Sequence, residues 1–416
     1  MTIARLDLAA LPRPPLHQAP AVRAGGFLFF SGLMAAEADG RLAEGARVPD
    51  GLRSYVAPGK RQARLVLDRL RQACAEAGTS LDRVVKAQVF LTDLGDLPDV
   101  EEVWREAFAV PPARTVVATR DLPIEGARVL VEAIALDGAG TRPEPVAVDE
   151  PPLDHASAAV RAGPFVFLSG RAATDARTGL APEVRPAGRR WLSPIKLEAA
   201  YALERLARTL VAAGSSPAHV VKAQVFLRDL RDFPAFDEVW RECFPAPPPR
   251  TTVGVPALPV PDARVAIDLT AVRADSPWPR EVLDVPPGVP APLAHYAVGV
   301  RVGPWVFAAG QIASDYRTGV PPEARVPDAF PYYGIAIKRQ ARYVLGNLRP
   351  VLAAGGASLA RTVRAQVFLE DFADLPALEE VWREHFPDPV PRTVVGTTGL
   401  LVPGTRVEID LTALAG

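Results

Sequence analysis

The sequence predicts an α+β protein: three tandem ββαβαββ domains folded against one another as an intramolecular pseudo-trimer, sheets inside and helices outside. Three observations predict it. One segment recurs three times. Residues 85–117 read VKAQVFLTDLGDLPDVEEVWREAFAVPPARTVV, residues 221–253 read VKAQVFLRDLRDFPAFDEVWRECFPAPPPRTTV, and residues 363–395 read VRAQVFLEDFADLPALEEVWREHFPDPVPRTVV. Other landmarks keep a similar spacing: Arg114, Arg250 and Arg392 lie 136 and 142 residues apart, and Gly32, Gly170 and Gly310 lie 138 and 140 apart. A unit of that length is a domain with its own core, whereas solenoid repeats are far shorter. Finally, each unit offers only two helical segments, which cover one face of a sheet. The bare faces of three like units on one chain can cover each other.

The domains are expected at 1–138, 153–273 and 293–416. The Pro- and Gly-rich segments 139–152 and 274–292 read as extended linkers rather than packed elements. Within each unit an apolar strand comes first (27–31, 165–169, 305–309), paired with the segment before it. A variable loop follows. Apolar residues at helical spacing then mark a first helix: Leu67, Leu70, Cys74, Ala77; Leu203, Leu206, Leu210, Ala213; Leu345, Leu348, Leu352. Gly78, Gly214 and Gly355 suit its C-terminal cap. The strand VVKAQVFL is next. A second helix opens near Asp96, Asp232 or Asp374, with Pro98, Pro234 or Pro376 in the first turn, where a missing N–H costs nothing. Two strands close the unit, the last alternating as in 264–271.

Composition narrows the function classes. With 47 basic and 48 acidic residues the formal charge is −1, which gives no electrostatic reason to expect nucleic acid or an anionic membrane as a partner. The longest strongly apolar stretch, 25–36, is too short to span a bilayer, and the N-terminus lacks a signal-peptide pattern, so a cytoplasmic protein is expected. Cys74 and Cys243 occupy non-equivalent positions and form no disulfide or metal pattern; free thiols are the simplest reading. Only five of the 47 basic residues are lysines: Lys60, Lys196 and Lys338 at one repeated position, Lys86 and Lys222 at another, where the third copy has Arg364.

The strand ending in Ser31–Gly32, Ser169–Gly170 or Ala309–Gly310, the V-K/R-A-Q-V-F-L-x-D segment, the Pro-x-Arg or Pro-Arg turn and the closing strands VLVEAIAL, VAIDLTAV and VEIDLTAL together resemble the RidA/YjgF/UK114 family of homotrimeric enamine/imine deaminases. The resemblance covers nearly all of each unit. It implies the YjgF-like (chorismate-mutase-like) fold, cofactor-free chemistry, no metal, and a small carboxylate-bearing substrate held in inter-domain clefts. The family's carboxylate-clamping arginine maps to Arg114, Arg250 and Arg392. A planar guanidinium suits that task, although an inter-domain ion pair would also explain it. Its acid maps to Glu132, Asp268 and Asp410, which would orient or deprotonate the attacking water, or else be solvated or arginine-paired strand residues. Ser31, Gly32, Ser169, Gly170 and Gly310 would line the substrate, as would Tyr296. Only the third copy keeps that tyrosine; Gln18 and Ala156 replace it elsewhere. The third copy also keeps Gln311, so the three clefts should be unequal.

Two repeated features lie outside the family pattern. His17, His155 and His295 each stand 15 residues before Gly32, Gly170 or Gly310. Each is either a proton donor to a leaving amine or a seam residue that caps a turn. The loop before the first helix is long and carries Tyr55, Trp191, or Tyr332 and Tyr333, then Lys60, Lys196 or Lys338. A cation opposes the dipole at a helix N-terminus, so these lysines either bind substrate under an aromatic lid or reach a carboxylate nearby. The function expected is hydrolysis of carboxylate-bearing imines or enamines to 2-oxo acids and ammonia. The alternatives are a non-catalytic carboxylate-binding or protein-interaction module, and a pathway-specific hydrolase or tautomerase such as an aminomuconate-type deaminase. Higher oligomers of the pseudo-trimer stay open.

Overall fold

The computed structural model describes residues 1–12, 16–49, 51, 57–138, 140–149, 154–175, 177–332 and 334–416. Each repeat has two helices on one face of a mixed sheet: α1 (Pro58–Glu76) and α2 (Leu97–Ala107), α3 (Pro194–Ala212) and α4 (Phe233–Cys243), α5 (Ala336–Ala354) and α6 (Leu375–His385). In the first repeat the hairpin Ala21–Ala24/Phe27–Phe30 lies beside Val129–Leu136, which pairs antiparallel with the central strand Val84–Leu91. That strand pairs parallel with Ala113–Ala118, and α2 makes the crossover between them. The other repeats copy this order.

The periodicity is explained by what each face buries. Leu67, Leu70 and Cys74 of α1 join Trp104 of α2 and alternate residues of the strands in one core, and equivalent cores form in the other repeats. The opposite sheet faces meet one another. Phe27, Phe29, Phe165, Phe167, Trp305 and Phe307, drawn from all three repeats, form one aromatic cluster. Trp305 lies edge-on to Phe27 and to Phe165, with centroids 5.9 and 5.4 Å apart. The same axis carries a ring of buried amides: Gln88 donates to Gln224, Gln224 to Gln366, and Gln366 back to Gln88.

Several details differ from expectation. The segments read as linkers contain edge strands: Glu144–Pro145 pairs with Ala159–Ala162, and Arg280–Val282 with Gly299–Val302, as Ile3–Leu6 does with Ala21–Ala24. Each satisfies an otherwise open sheet edge. The left-handed C-terminal position of α5 falls on Gly356 (φ 78°), one residue beyond Gly355. Asp96 does not cap α2 through its side chain. Asp93 accepts from the Gly95 N–H in the preceding turn, and Asp96 instead pairs with Arg128. Domains also interlock at their edges, where Gly399–Leu400 of the third repeat extends the second sheet beside Val253–Gly254. Among the described residues no helix is long and apolar enough to cross a membrane.

Candidate active-site clefts

The three arginines sit at the three seams. The strand after the Pro-rich turn carries each to the interface, and the next repeat closes over it. Gly170 N–H donates to the Arg114 carbonyl, Gly310 to Arg250 and Gly32 to Arg392, at 3.1–3.2 Å. Each guanidinium is buried on the face of a tryptophan from the second helix: Trp104, Trp240 or Trp382, at 4.7, 5.0 and 4.6 Å from the ring centre. Each also pairs with an acid one turn earlier on that helix, Glu101, Asp237 or Glu379. In all three arginines Nη1 is buried without a hydrogen-bond partner. The tryptophans were overlooked in the sequence, although V-W-R-E repeats three times.

Beyond this common frame the clefts differ. At the first, Asp154 reaches Arg114 Nη2 at 2.8 Å and Nε at 3.2 Å, so a carboxylate of the chain occupies the guanidinium. The cavity left there measures about 90 Å³. At the second, Asp154 is replaced by Ala294, and a cavity of about 470 Å³ opens between Arg250, Phe233, Thr252, Tyr296, Gly310, Ile312, Tyr316, Val402 and Glu408. At the third, Leu16 holds that position.

Glu408 is the residue sequence reasoning missed. It is fully buried, and its Oε1 accepts from the Thr252 N–H at 3.3 Å. Burial, with Asp410 nearby, raises its carboxyl pKa to about 8, so the acid is neutral at pH 7. Gly310 lies directly beneath it, and a Cβ there would collide with the carboxyl. Strand register makes Leu130 and Ala266 its counterparts: Phe90 faces Leu130, Phe226 faces Ala266 and Phe368 faces Glu408. Tyr296, from the same repeat, donates its hydroxyl proton to Tyr316 Oη at 3.0 Å; burial lifts its phenol to about 12. Tyr316 adopts φ 56°, and an Asx turn holds it: the Asp315 carboxylate accepts from Arg317 N–H and Thr318 N–H.

The acids proposed from sequence lie elsewhere. Glu132, Asp268 and Asp410 lie on the same side of the closing strand as the 130, 266 and 408 positions but two residues further along it. There they face the molecular axis. Lys86 pairs with Asp268 and Lys222 with Asp410, both at 2.7 Å, and Arg364 pairs with Glu132. Burial pulls the pKa of both lysines down while the aspartates pull it up. These are inter-repeat struts and cannot activate water in the clefts.

The histidines are seam residues as well. Nε2 of His17, His155 and His295 meets the carbonyl of Phe386, Phe108 and Phe244 at 2.6–2.7 Å, each just past the second helix of the preceding repeat. Their backbone N–H groups reach Glu379, Glu101 and Asp237, the partners of the arginines. Three separate seams hold them, so they do not converge on the axis. Lys60, Lys196 and Lys338 staple the two helices of their own repeat, through Glu102 (2.6 Å), Glu238 and Glu380. Trp191 and Tyr332 are 79% and 94% exposed, so they form no lid; Tyr55 and Tyr333 lie outside the described residues. Ser31 and Ser169 act behind the clefts: each hydroxyl donates across its own hairpin and accepts the N–H of Arg392 or Arg114. Gly170 and Gly310 do line cavities, and Gly32 lies against Leu130 and Thr393.

Comparison with known proteins agrees with the repeat. The sequence signature of the family described as Endoribonuclease L-PSP matches residues 10–137, 148–273 and 288–415. The chain is 31% identical over 131 residues to the 3-aminoacrylate deaminase RutC of Acinetobacter baylyi, covering 32% of this chain and 94% of that protein. It is 36% identical over 133 residues to a 2-iminobutanoate/2-iminopropanoate deaminase of Dermatophagoides farinae, again covering 32% and 94%. Among solved structures, a chorismatase superposes on 80% of this chain and 93% of its own with a TM-score of 0.52; at 12% identity this likeness concerns the fold alone. With its signature matched three times over, the chain belongs to the Endoribonuclease L-PSP family, the RidA/YjgF/UK114 group of proteins, as a tandem of three members.

Proposed function

We propose that the protein is an imine/enamine deaminase for carboxylate-bearing substrates and that it works at the second cleft alone. The observation that carries this reading is the pairing of a buried guanidinium, Arg250, with a neutral buried carboxylic acid, Glu408, on the walls of one open cavity. Arg250, which lines the cavity, would hold the substrate carboxylate through its guanidinium. Glu408 would give its proton to the imine nitrogen, which makes the imine carbon electrophilic. Water adds there and returns a proton to the Glu408 carboxylate. The resulting amino alcohol is protonated on nitrogen by the same group, the C–N bond breaks, and the hydroxyl proton is lost as the C=O forms. Imine plus water becomes 2-oxo acid plus ammonia, with Glu408 restored. The names of the deaminase relatives support the reaction class.

The other clefts lack this combination. Ala266 and Leu130 stand in the place of the acid, and Asp154 already fills the first arginine. That bound carboxylate favours a second reading for the first cleft, binding without chemistry. Ammonia release from imines generated in situ by an amino-acid oxidase tests the proposal. Wild type should exceed the uncatalysed rate, and Arg250→Ala and Glu408→Gln should return close to it while keeping a native circular-dichroism spectrum. A Glu408→Gln variant as active as wild type would remove the acid from the mechanism.

A further inference from the structure

Granting that the second cleft is the reacting site, its walls say more about what enters. We infer that its substrate is a monocarboxylate whose reacting carbon carries a ring-sized apolar group, neither a two- or three-carbon acid nor a dicarboxylate.

Size comes first. The cavity of about 470 Å³ falls in the range of sites that enclose an organic ligand of many atoms, whereas its counterpart at the first seam measures about 90 Å³. A three-carbon acid held at Arg250 would leave most of that volume to water against an apolar wall. The wall is specific to this seam. Phe233 stands where the other second helices begin with Leu97 and Leu375, and Tyr296 where the others have Gln18 and Ala156. Ile312, Val402 and the ring of Tyr316 complete it. Tyr316 is held at positive φ, a conformation that disfavours a residue with a Cβ, and such strain at a cavity wall fixes an aromatic face there.

Charge comes second. The cations at the cavity are Arg250 and Arg241; Asp237 lies within ion-pair distance of both, at 2.7 and 3.5 Å. Glu238 is neutralised by Lys196, and Glu408 carries its proton. One positive charge remains to be matched, which suits one carboxylate. Phe233 packs on the Arg250 guanidinium itself, 5.2 Å from its ring centre, and a second carboxylate placed beyond it would face Ile312 and Val402 with no further cation among the described residues. Lys60, Lys196 and Lys338, candidates for substrate binding from sequence, are committed to the helix staples.

Calorimetry with stable 2-oxo acids, the products of the proposed reaction, tests this without requiring turnover. Pyruvate, phenylpyruvate and 2-oxoglutarate are titrated into the full chain. Phenylpyruvate should bind at least tenfold tighter than pyruvate, with 2-oxoglutarate the weakest. Ile312→Trp, which narrows the apolar wall, should erase most of the phenylpyruvate advantage over pyruvate while keeping a native circular-dichroism spectrum. Equal binding of pyruvate and phenylpyruvate, tighter binding of 2-oxoglutarate, or no binding of any of the three overturns the inference. The ammonia assay is separate: selective binding with no ammonia release would sink the deaminase reading and leave the ligand class standing.

Discussion

At the residue scale, one acid and its neighbours set the second seam apart from the other two. Glu408 has its pKa raised from 4.5 to about 8. The folded protein therefore keeps a proton that the unfolded chain releases near pH 4.5. Its contribution to stability is full below that pH and is lost as pH rises through about 8. Activity that needs the protonated acid should fall over the same upper range. A kcat/KM profile with an upper limb near pH 8, together with unfolding midpoints that decline less steeply between pH 5 and 9 in Glu408→Gln, checks both. Asp154 supplies a transplant: Ala294→Asp should place a carboxylate on Arg250 as Asp154 sits on Arg114, weakening 2-oxo acid binding at least tenfold with the fold intact. The axial struts behave differently. Lys86→Met leaves Asp268 buried without its cation and should cost about 3–5 kcal/mol in chemical denaturation. Changing both partners to apolar residues should recover much of that loss.

The repeated arginine was legible from sequence because it recurs in a fixed turn. Its acid partner was not. Residues 408 and 410 both point to the same side of one strand, and period-2 alternation cannot say which meets the cleft and which meets the axis. That depends on register across the seam, which becomes visible only when Phe368 is seen opposite Glu408 and Gln366 opposite Asp410. Comparing the three copies did hold a clue: an acid stands at 132, 268 and 410 in every repeat, as a structural role on the axis requires, whereas Glu408 is unique to one.

At the scale of elements, helices and strands followed their hydrophobic periods closely, and the misplacements came at ends and joins. Asp93 and Asp96 share a turn and both pair with Arg128, so the arginine does not choose the cap; the reach of Asp93 to the Gly95 N–H does. The histidines illustrate the same limit: a His at every seam suits proton transfer and backbone clasping equally until its partner is known. As clasps on a helix-end carbonyl, they hold α2, α4 and α6 against the following repeat. His295→Ala should lower stability by about 1–2 kcal/mol by leaving the Phe244 carbonyl unpaired, without moving the pH limb near 8. A large fall in kcat at constant stability would instead restore the histidine to the chemistry. Lys196→Ala, which removes an exposed staple, should change stability by less than about 1 kcal/mol.

At the scale of the whole molecule, the three repeats close a ring through like contacts, from first to second, second to third and third to first. The leading strands Ile3–Leu6, Glu144–Pro145 and Arg280–Val282 do the same job for their own repeats, two of them from within the joining segments. Arg361 donates to the carbonyls of both Met1 and Ala415, so the two chain ends meet. The backbone thus behaves as a circle cut at one of three interchangeable points. A circular permutant that joins residue 416 to residue 1 through a short Gly/Ser bridge and starts at residue 140 should melt within a few degrees of the parent and keep its activity. One opened inside Val84–Leu91 should not fold. The point at which the circle is opened is then free to move, and the second seam, with its acid and arginine from different repeats, can be carried intact through any such change of origin.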